Sequence, residues 1–400
     1  MFFTVLSISD VLNRPLPRLR YTSHAPSAST TISPFSRVPT QVLSWDGFVA
    51  QAASRQYPTN QTLSPDQFRF SDDLTISDEE STGIALTFNV YALLNRLRPT
   101  DQIGMQSEAT VIGKPDRVCY RSPNDVRMLI EIKVKWALFS NDLVTKYNED
   151  MSLIGMERSP VNPTWRQVHQ IFGYLCHNSL RYGILTTYDQ TWFMRRDDER
   201  LSISPAIHYA DGHPTLLQCH MYFMDLTHQD YTTSSVPPSP PQGPHPGSPP
   251  GDGGGGGSND GAYQQSTRNA RAQNRAQNRD TSLFARGKAK LKNTFRQMPD
   301  GSTVAVGMLN LHEFKIEEVL GEGRTGRVFR ATWQGEPVAL KVCDLYKDPN
   351  YEDDMLTEVA TYKTLDDLQG VCVPRFKIAG YDGGMFAIAI EIAGSPMEVD

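Results

Sequence analysis

The sequence predicts an α/β protein in two folded parts: a mixed sheet flanked by helices in residues 41–230, and a smaller α+β lobe in residues 310–400, joined by a disordered linker. Three observations predict this. Residues 41–230 mix strand-like alternation with helical apolar stripes. A Pro-rich then Gly-rich run, TTSSVPPSPPQGPHPGSPPGDGGGGGSNDG at 232–261, cannot bury enough surface to order itself. From about residue 310 periodicity returns, with strand-like runs around one amphipathic helix.

Taken in order, residues 1–40 lack periodicity and are studded with Pro and Ser, so they read as a disordered tail. Four Arg against one Asp in residues 1–45 leave an organelle transit peptide as the alternative. DEESTGIALTFNVYALLNRL, 78–97, predicts a helix with an acidic first turn. EATVIGKPDRVCY and VRMLIEIKVKW predict two strands separated by the turn RSPND. TWRQVHQIFGYLCHNSL, 164–180, predicts a helix whose Val168, Ile171, Phe172 and Leu175 form one stripe, and YGILTT with TWFMRR predicts a hairpin. The linker takes residues 231–262 and a basic arm residues 263–309.

Charge narrows the function classes. The net charge of −6 gives no global basic field, yet residues 263–297 hold nine Arg or Lys and one acid. Arg271, Arg275 and Arg279 recur every four residues, a stripe suited to phosphate contacts or simply a solvated arm. Five cysteines without a C-x-x-C pair argue against a disulfide framework or a zinc ribbon and for a reducing, intracellular setting, cytoplasmic or nuclear. His208, His213, Cys219 and His220 match no zinc spacing. No apolar run approaches the roughly 18 residues a bilayer requires, so no membrane partner is expected.

In VRMLIEIKVKW, Met128, Ile130, Ile132, Val134 and Trp136 alternate with Glu131, Lys133 and Lys135. If the hairpin turns between Pro123 and Asn124, Asp116 falls opposite Glu131 and Lys114 opposite Lys133, with Cβ atoms roughly 5 Å apart. Two carboxylates that close repel unless a cation lies between them, and oxygen-seeking Mg²⁺ is the natural candidate. A neighbouring lysine then positions the attacking water and stabilises charge growing on phosphorus.

The PD at 115–116 followed by EIK at 131–133 resembles the PD-(D/E)xK nuclease superfamily. That resemblance implies a PD-(D/E)xK-like sheet, Asp116 and Glu131 as metal ligands and Lys133 as catalytic lysine. It also implies a helix glutamine, Gln170 or Gln167, and an acid from an early helix, with Glu79, Glu80 and Glu108 as candidates. The run QIFGYLCHNSLRYGILTTYDQTWFMRR is similar to nuclease-like domains fused to kinase-like domains in fungal and Crinkler-type effector proteins. The alternative is a surface ion pair in which Lys133 only neutralises Glu131.

In the second part, LGEGRTGRVFRA carries Gly321, Gly323 and Gly326 in the G-x-G-x-x-G-x-V spacing completed by Val328. It lies between FKIEEVL and RVFRATW, and VALK follows at 338–341; a dinucleotide fold would call for a helix there. The order resembles a protein-kinase N-lobe. That implies a phosphate-covering glycine loop, Val328 and Ala339 beside the nucleotide, Lys341 on its phosphates paired with Glu358, and Glu391 and Ile392 as adenine-edge contacts. Neither H-R-D nor D-F-G occurs in the 400 residues. The expectation is therefore a truncated kinase-like lobe that binds ATP weakly, does not itself transfer phosphate, and leaves an open face for a protein partner.

The reading from sequence is a Mg²⁺-dependent nuclease-like domain acting on nucleic acid, fused to this ATP-type lobe. The alternatives are a non-catalytic module binding nucleic acid and nucleotide, and a fragment of a complete kinase.

Overall fold

The protein's computed structural model describes residues 6–22, 36–58, 62–63, 69–154, 164–234, 294–297 and 303–392. Seven strands build the first sheet: β1 (Gln41–Ser44), β2 (Gln102–Gly104), β3 (Arg117–Ser122), β4 (Asp125–Ile132), β5 (Tyr182–Thr186), β6 (Gln190–Asp197) and β7 (Arg200–Ile203). Their spatial order is β1-β7-β6-β5-β4-β3-β2, with the short Ile207–His208 strand also on β6. The β1–β7 and β4–β5 contacts are parallel and the rest antiparallel, so the sheet is mixed.

Helices cover both faces. On one side lie α1 (Glu79–Leu86), which continues through a wider π turn at Thr87–Tyr91, and α3 (Leu216–Thr227); on the other lies α2 (Trp165–His177). Asp78 caps α1 by accepting from the Ser81 N–H, leaving Glu79 and Glu80 in its first turn. Alternation along β4 distributes its side chains: Met128, Ile130 and Ile132 enter the core with Leu86, Leu216 and Phe223, while Leu129 meets Val168, Ile171 and Leu175 of α2. Because both faces are covered, β4 is buried throughout apart from its first residue.

The second sheet contains β8 (Thr303–Met308), β9 (Phe314–Glu322), β10 (Arg327–Trp333), β11 (Glu336–Asp344), β12 (Phe376–Asp382) and β13 (Met385–Glu391), with helix α4 (Tyr351–Thr364) between β11 and β12. Its order is β8-β12-β13-β11-β10-β9, with a Thr294–Gln297 strand outside β8. Met355, Leu356 and Val359 of α4 pack on one face, against Cys343, Phe386 and Ile388. On the other face Phe329, Leu340, Val342 and Ala387 join the same apolar core as Phe172 and Tyr174 of α2. This sheet face is therefore covered within the chain, while the hinge end past Ile392, where the open face was expected, lies outside the described residues.

Several sequence expectations change. Residues 6–22, assigned to a disordered tail, carry short elements and bury Val11, Leu12, Leu16 and Leu19, and residues 36–40 are also placed. Arg37 is also buried, and its Nη2 donates to Asp382 Oδ1 of the second lobe at 2.8 Å. The strand expected over 108–120 starts only at Arg117, since Gln106–Glu108 forms a 3₁₀ turn. The following strand ends at Ile132, so Lys135 is not on it; the Lys135 ammonium instead lies 3.2 Å from the Tyr21 ring centroid. Thr232 bridges to Leu180, and Val306 of β8 is buried, so both folded parts reach past their expected edges. The linker from 235, the basic arm to 293 and residues 393–400 lie outside the described residues.

Candidate active site

The β3–β4 hairpin has the expected register at its open end, with Arg117 opposite Ile130, Val118 opposite Leu129 and Cys119 opposite Met128, while a bulge around Tyr120 shifts it nearer the turn. Asp116 lies just before the paired segment. Its Oδ2 accepts from the Ile132 N–H at 2.7 Å, so its carboxylate turns across the end of β4. Lys114 does not oppose Lys133: its N–H donates to Asp344 Oδ2 at 2.7 Å, and its ammonium lies 3.6 Å from Glu322. Lys133 follows β4, its N–H bonded to Thr186 O at 2.8 Å, and its Nζ donates to Glu131 Oε1 at 2.7 Å.

A second cation enters from the other lobe. Lys347, in the turn between β11 and α4, donates from Nζ to Asp116 Oδ1 at 2.9 Å and to Glu131 Oε1 at 2.7 Å. The two accepting oxygens are thus no farther apart than those two bonds laid end to end. Glu131 is 0% exposed, and its Oε2 receives no hydrogen bond among the described residues.

The electrostatics follow from burial and neighbours. Burial, with the Asp116 charge adding to it, pushes the Glu131 carboxyl up to about 7, against the pull of Lys133 and Lys347. Burial also works to raise Asp116, but Lys347, Lys133 and the Ile132 N–H outweigh it and hold that carboxyl below the usual range. For Lys347, burial opposes the charge, yet Asp116 and Glu131 prevail and hold its ammonium well above the ordinary lysine range. The same balance, led on the favourable side by Glu131, raises Lys133.

Of the three early acids, Glu79 comes nearest the cluster, its Oε1 3.5 Å from Lys133 Nζ. Glu80 is exposed, and Glu108 is engaged by the Met105 N–H at 3.0 Å and the Tyr120 hydroxyl at 2.5 Å. Gln170 is buried on α2, but its Nε2 donates to Tyr174 Oη at 3.0 Å, and that hydroxyl donates to Asp344 Oδ2 at 2.8 Å. Gln170 therefore helps hold the lobe contact and makes no bond to the acid pair. Lys347 had no signal in the sequence: it reaches Glu131 across 216 positions by lobe docking alone.

In the second lobe, β9 and β10 pair antiparallel, bringing Gly321 opposite Val328, and Gly323 N–H bonds to Gly326 O at 2.9 Å across the loop. A Cβ at Gly326 falls 2.3 Å from Val342 O, so the fold itself requires that glycine. At Gly321 a Cβ meets nothing within 4 Å, and at Gly323 only Gly326 O at 4.0 Å; no packing among the described residues accounts for those two. Val328 lies opposite Lys341, and Ala339 opposite Arg330 and Ile390. Lys341 Nζ is 2.5 Å from Glu358 Oε2 of α4, with both side chains partly exposed. Glu391 is less free than expected: its N–H bonds to Arg375 O at 2.8 Å, and its carboxylate lies 3.2 Å from the Arg375 guanidinium. Ile392 follows it at the limit of the described residues.

Among the described residues no group of three or more His, Cys, Asp or Glu side chains is arranged to hold a metal ion. Asp116 and Glu131, with the orphaned Oε2, form a two-carboxylate set. That set fits Mg²⁺, which keeps several waters and commonly takes only one or two protein carboxylates. No helix among the described residues is long and apolar enough to cross a membrane. Searches of protein-family models and of curated proteins find no match to the chain.

Proposed function

We propose that the first part is a Mg²⁺-dependent phosphodiester-cleaving domain of the PD-(D/E)xK type, acting on nucleic acid, and that the second is a protein-kinase-like lobe that binds the phosphates of ATP. The observation that carries the first half is the convergence of Asp116, Glu131 and Lys133 at the end of β4, with one carboxylate oxygen buried and unpaired. Asp116 and Glu131 would hold the divalent ion, which when bound lowers the pKa of a water and offsets charge on the scissile phosphate. Lys133, fixed by Glu131 and steadied by Glu79, is poised to orient that water and stabilise the oxygen that gains charge. Gln170 is assigned no catalytic part.

The second half rests on the Lys341–Glu358 pair beneath a hairpin whose Gly321 and Gly323 leave room for a phosphate to approach the backbone. This half of the reading is one of nucleotide binding. A second reading, a binding module with an inert ion network in the first part, is favoured by one observation: Lys347 already neutralises the acid pair.

The test is nicking of supercoiled plasmid and cleavage of single-stranded RNA by the full chain in Mg²⁺ or Mn²⁺, with and without Lys347→Met. The expected result is metal-dependent cleavage in at least one of those chains, cut about 100-fold or more by Asp116→Asn or Lys133→Met. Cleavage that ignores both substitutions, or none in either chain, overturns the nuclease reading in favour of the inert network.

A further inference from the structure

The geometry points to Lys347 as an intramolecular occupant of the divalent-cation seat, so that the second lobe holds the candidate nuclease centre closed. This deepens the nuclease reading and rests on it for the identity of the site.

Charge and position both set up a competition. Around the seat stand three carboxylates, Asp116, Glu131 and Glu79, and two ammonium groups, Lys133 and Lys347, so the formal charge is −1, and Lys347 already sits on the oxygens of both Asp116 and Glu131. Adding a divalent ion with both lysines in place would set a double positive charge beside two like charges in a largely buried site, where repulsion is poorly screened. For the ion to take those oxygens, one ammonium gives way. Lys133 is 5% exposed and held between Glu131 and Glu79. The Lys347 side chain is 24% exposed, so it is the one with a way out. It is also the cation that bridges both acids, as a shared metal ion would.

The scaffold behind Lys347 is firm. Three residues upstream, buried Asp344 accepts from Lys114 N–H at 2.7 Å and Tyr174 Oη at 2.8 Å, both from the first domain. Tyr346, the immediate neighbour, packs on Tyr174 with ring centroids 5.7 Å apart and fills the space above Gly173, where a Cβ would fall 2.4 Å from its hydroxyl. These contacts fix the backbone of the turn and leave the flexible four-carbon stem of Lys347 as the moving part. Opening is a swing of one side chain, displaced by a divalent ion or drawn away by an anion outside, and does not require the lobes to separate. Since Lys347 precedes α4, the helix that carries Glu358, the plug and the candidate nucleotide lysine pair belong to one continuous segment.

Two measurements on the full chain test this. In the first, Mn²⁺ binding is followed by the loss of the free-ion electron-spin signal in wild type, Lys347→Met and Lys347→Arg. Lys347→Met should bind at least about 10-fold tighter than wild type, Lys347→Arg should remain as weak as wild type, and adding Asp116→Asn to Lys347→Met should cancel the gain. Equal binding by wild type and Lys347→Met, or a gain that survives Asp116→Asn, overturns the proposal. The second needs no substitution: acetylation of wild-type Lys347 by an amine reagent, read by mass spectrometry, should rise several-fold in millimolar Mg²⁺ while exposed lysines stay constant. An unchanged rate also overturns it. The two readings separate cleanly. Tighter Mn²⁺ binding without cleavage sustains the plug and removes the nuclease; Asp116-dependent cleavage with equal binding in wild type and Lys347→Met sustains the nuclease and removes the plug.

Discussion

Lys133 and His220 are buried for different reasons, and each can be tested alone. Lys133 is charged and pinned at 2.7 Å to Glu131. Lys133→Met leaves Glu131 with Lys347 as its remaining ion-pair partner, so the variant should unfold at lower urea, with a loss of about 3 kcal/mol, the range found when one member of a buried pair is removed. His220 packs against Phe193 and Tyr91, and burial pulls its imidazole down to about 4 from an ordinary 6.5. The unfolded chain binds a proton there between those values and the folded chain does not. The stability from neutral His220 is thus fully present above about pH 6.5 and lost as pH falls through about 4. Between pH 7 and 5 this one group should remove about 2 kcal/mol from wild-type stability. His220→Leu should show a correspondingly flatter urea-midpoint profile; an unchanged slope would contradict this account. The aromatic surroundings of His220 supply its physical role.

At the scale of elements, the hairpins and the acidic first turn of α1 were the legible parts. The RSPND turn, the YGILTT–TWFMRR hairpin and the glycine-loop hairpin all form as antiparallel pairs, because a short turn brings neighbouring strands together locally; the first and third also carry bulges that alternation does not show. Strand lengths were less legible. Residues 108–116 alternate like a strand, yet Ile112 and Lys114 spend their N–H groups on Asn178 and Asp344, so tertiary partners replace a ladder. In the glycine loop, three similar-looking residues turn out unequal. Gly326→Ala drives a Cβ into Val342 O and should lower stability by about 1–3 kcal/mol or more, whereas Gly321→Ala should leave the melting midpoint within about 0.5 °C to 1 °C of wild type. If Gly321 is bare for the sake of a phosphate, its substitution should weaken binding of a fluorescent ATP analogue while stability holds. Equal thermal losses in the two variants would remove the packing argument.

For the whole molecule, the two parts share a core, and that was illegible in the sequence. The linker separates two folded parts in the sequence and says nothing of their contact, yet Phe172 and Tyr174 pack in one cluster with Phe329, Val342 and Met385. Arg37, from a stretch without periodicity, is buried between the lobes on Asp382, whose other oxygen accepts from Leu311 N–H at 2.8 Å. Such long-range closure leaves no local pattern. Arg37→Met should cost about 3–5 kcal/mol, because it strands a buried carboxylate. Wild type should unfold in one transition by probes in either lobe, and two separated transitions would contradict a shared core. The same docking carries Lys347 to the acid pair, so the candidate chemistry is a property of the assembled chain.

The most direct test of the central claim, that Asp116 and Glu131 together frame one cation seat, is anomalous diffraction from crystals of the Lys347→Met chain soaked in Mn²⁺. The account predicts a single peak within coordinating reach of both carboxylates, roughly 2.1 Å from each nearest oxygen. A site without that peak, with the two carboxylates turned apart, would contradict it.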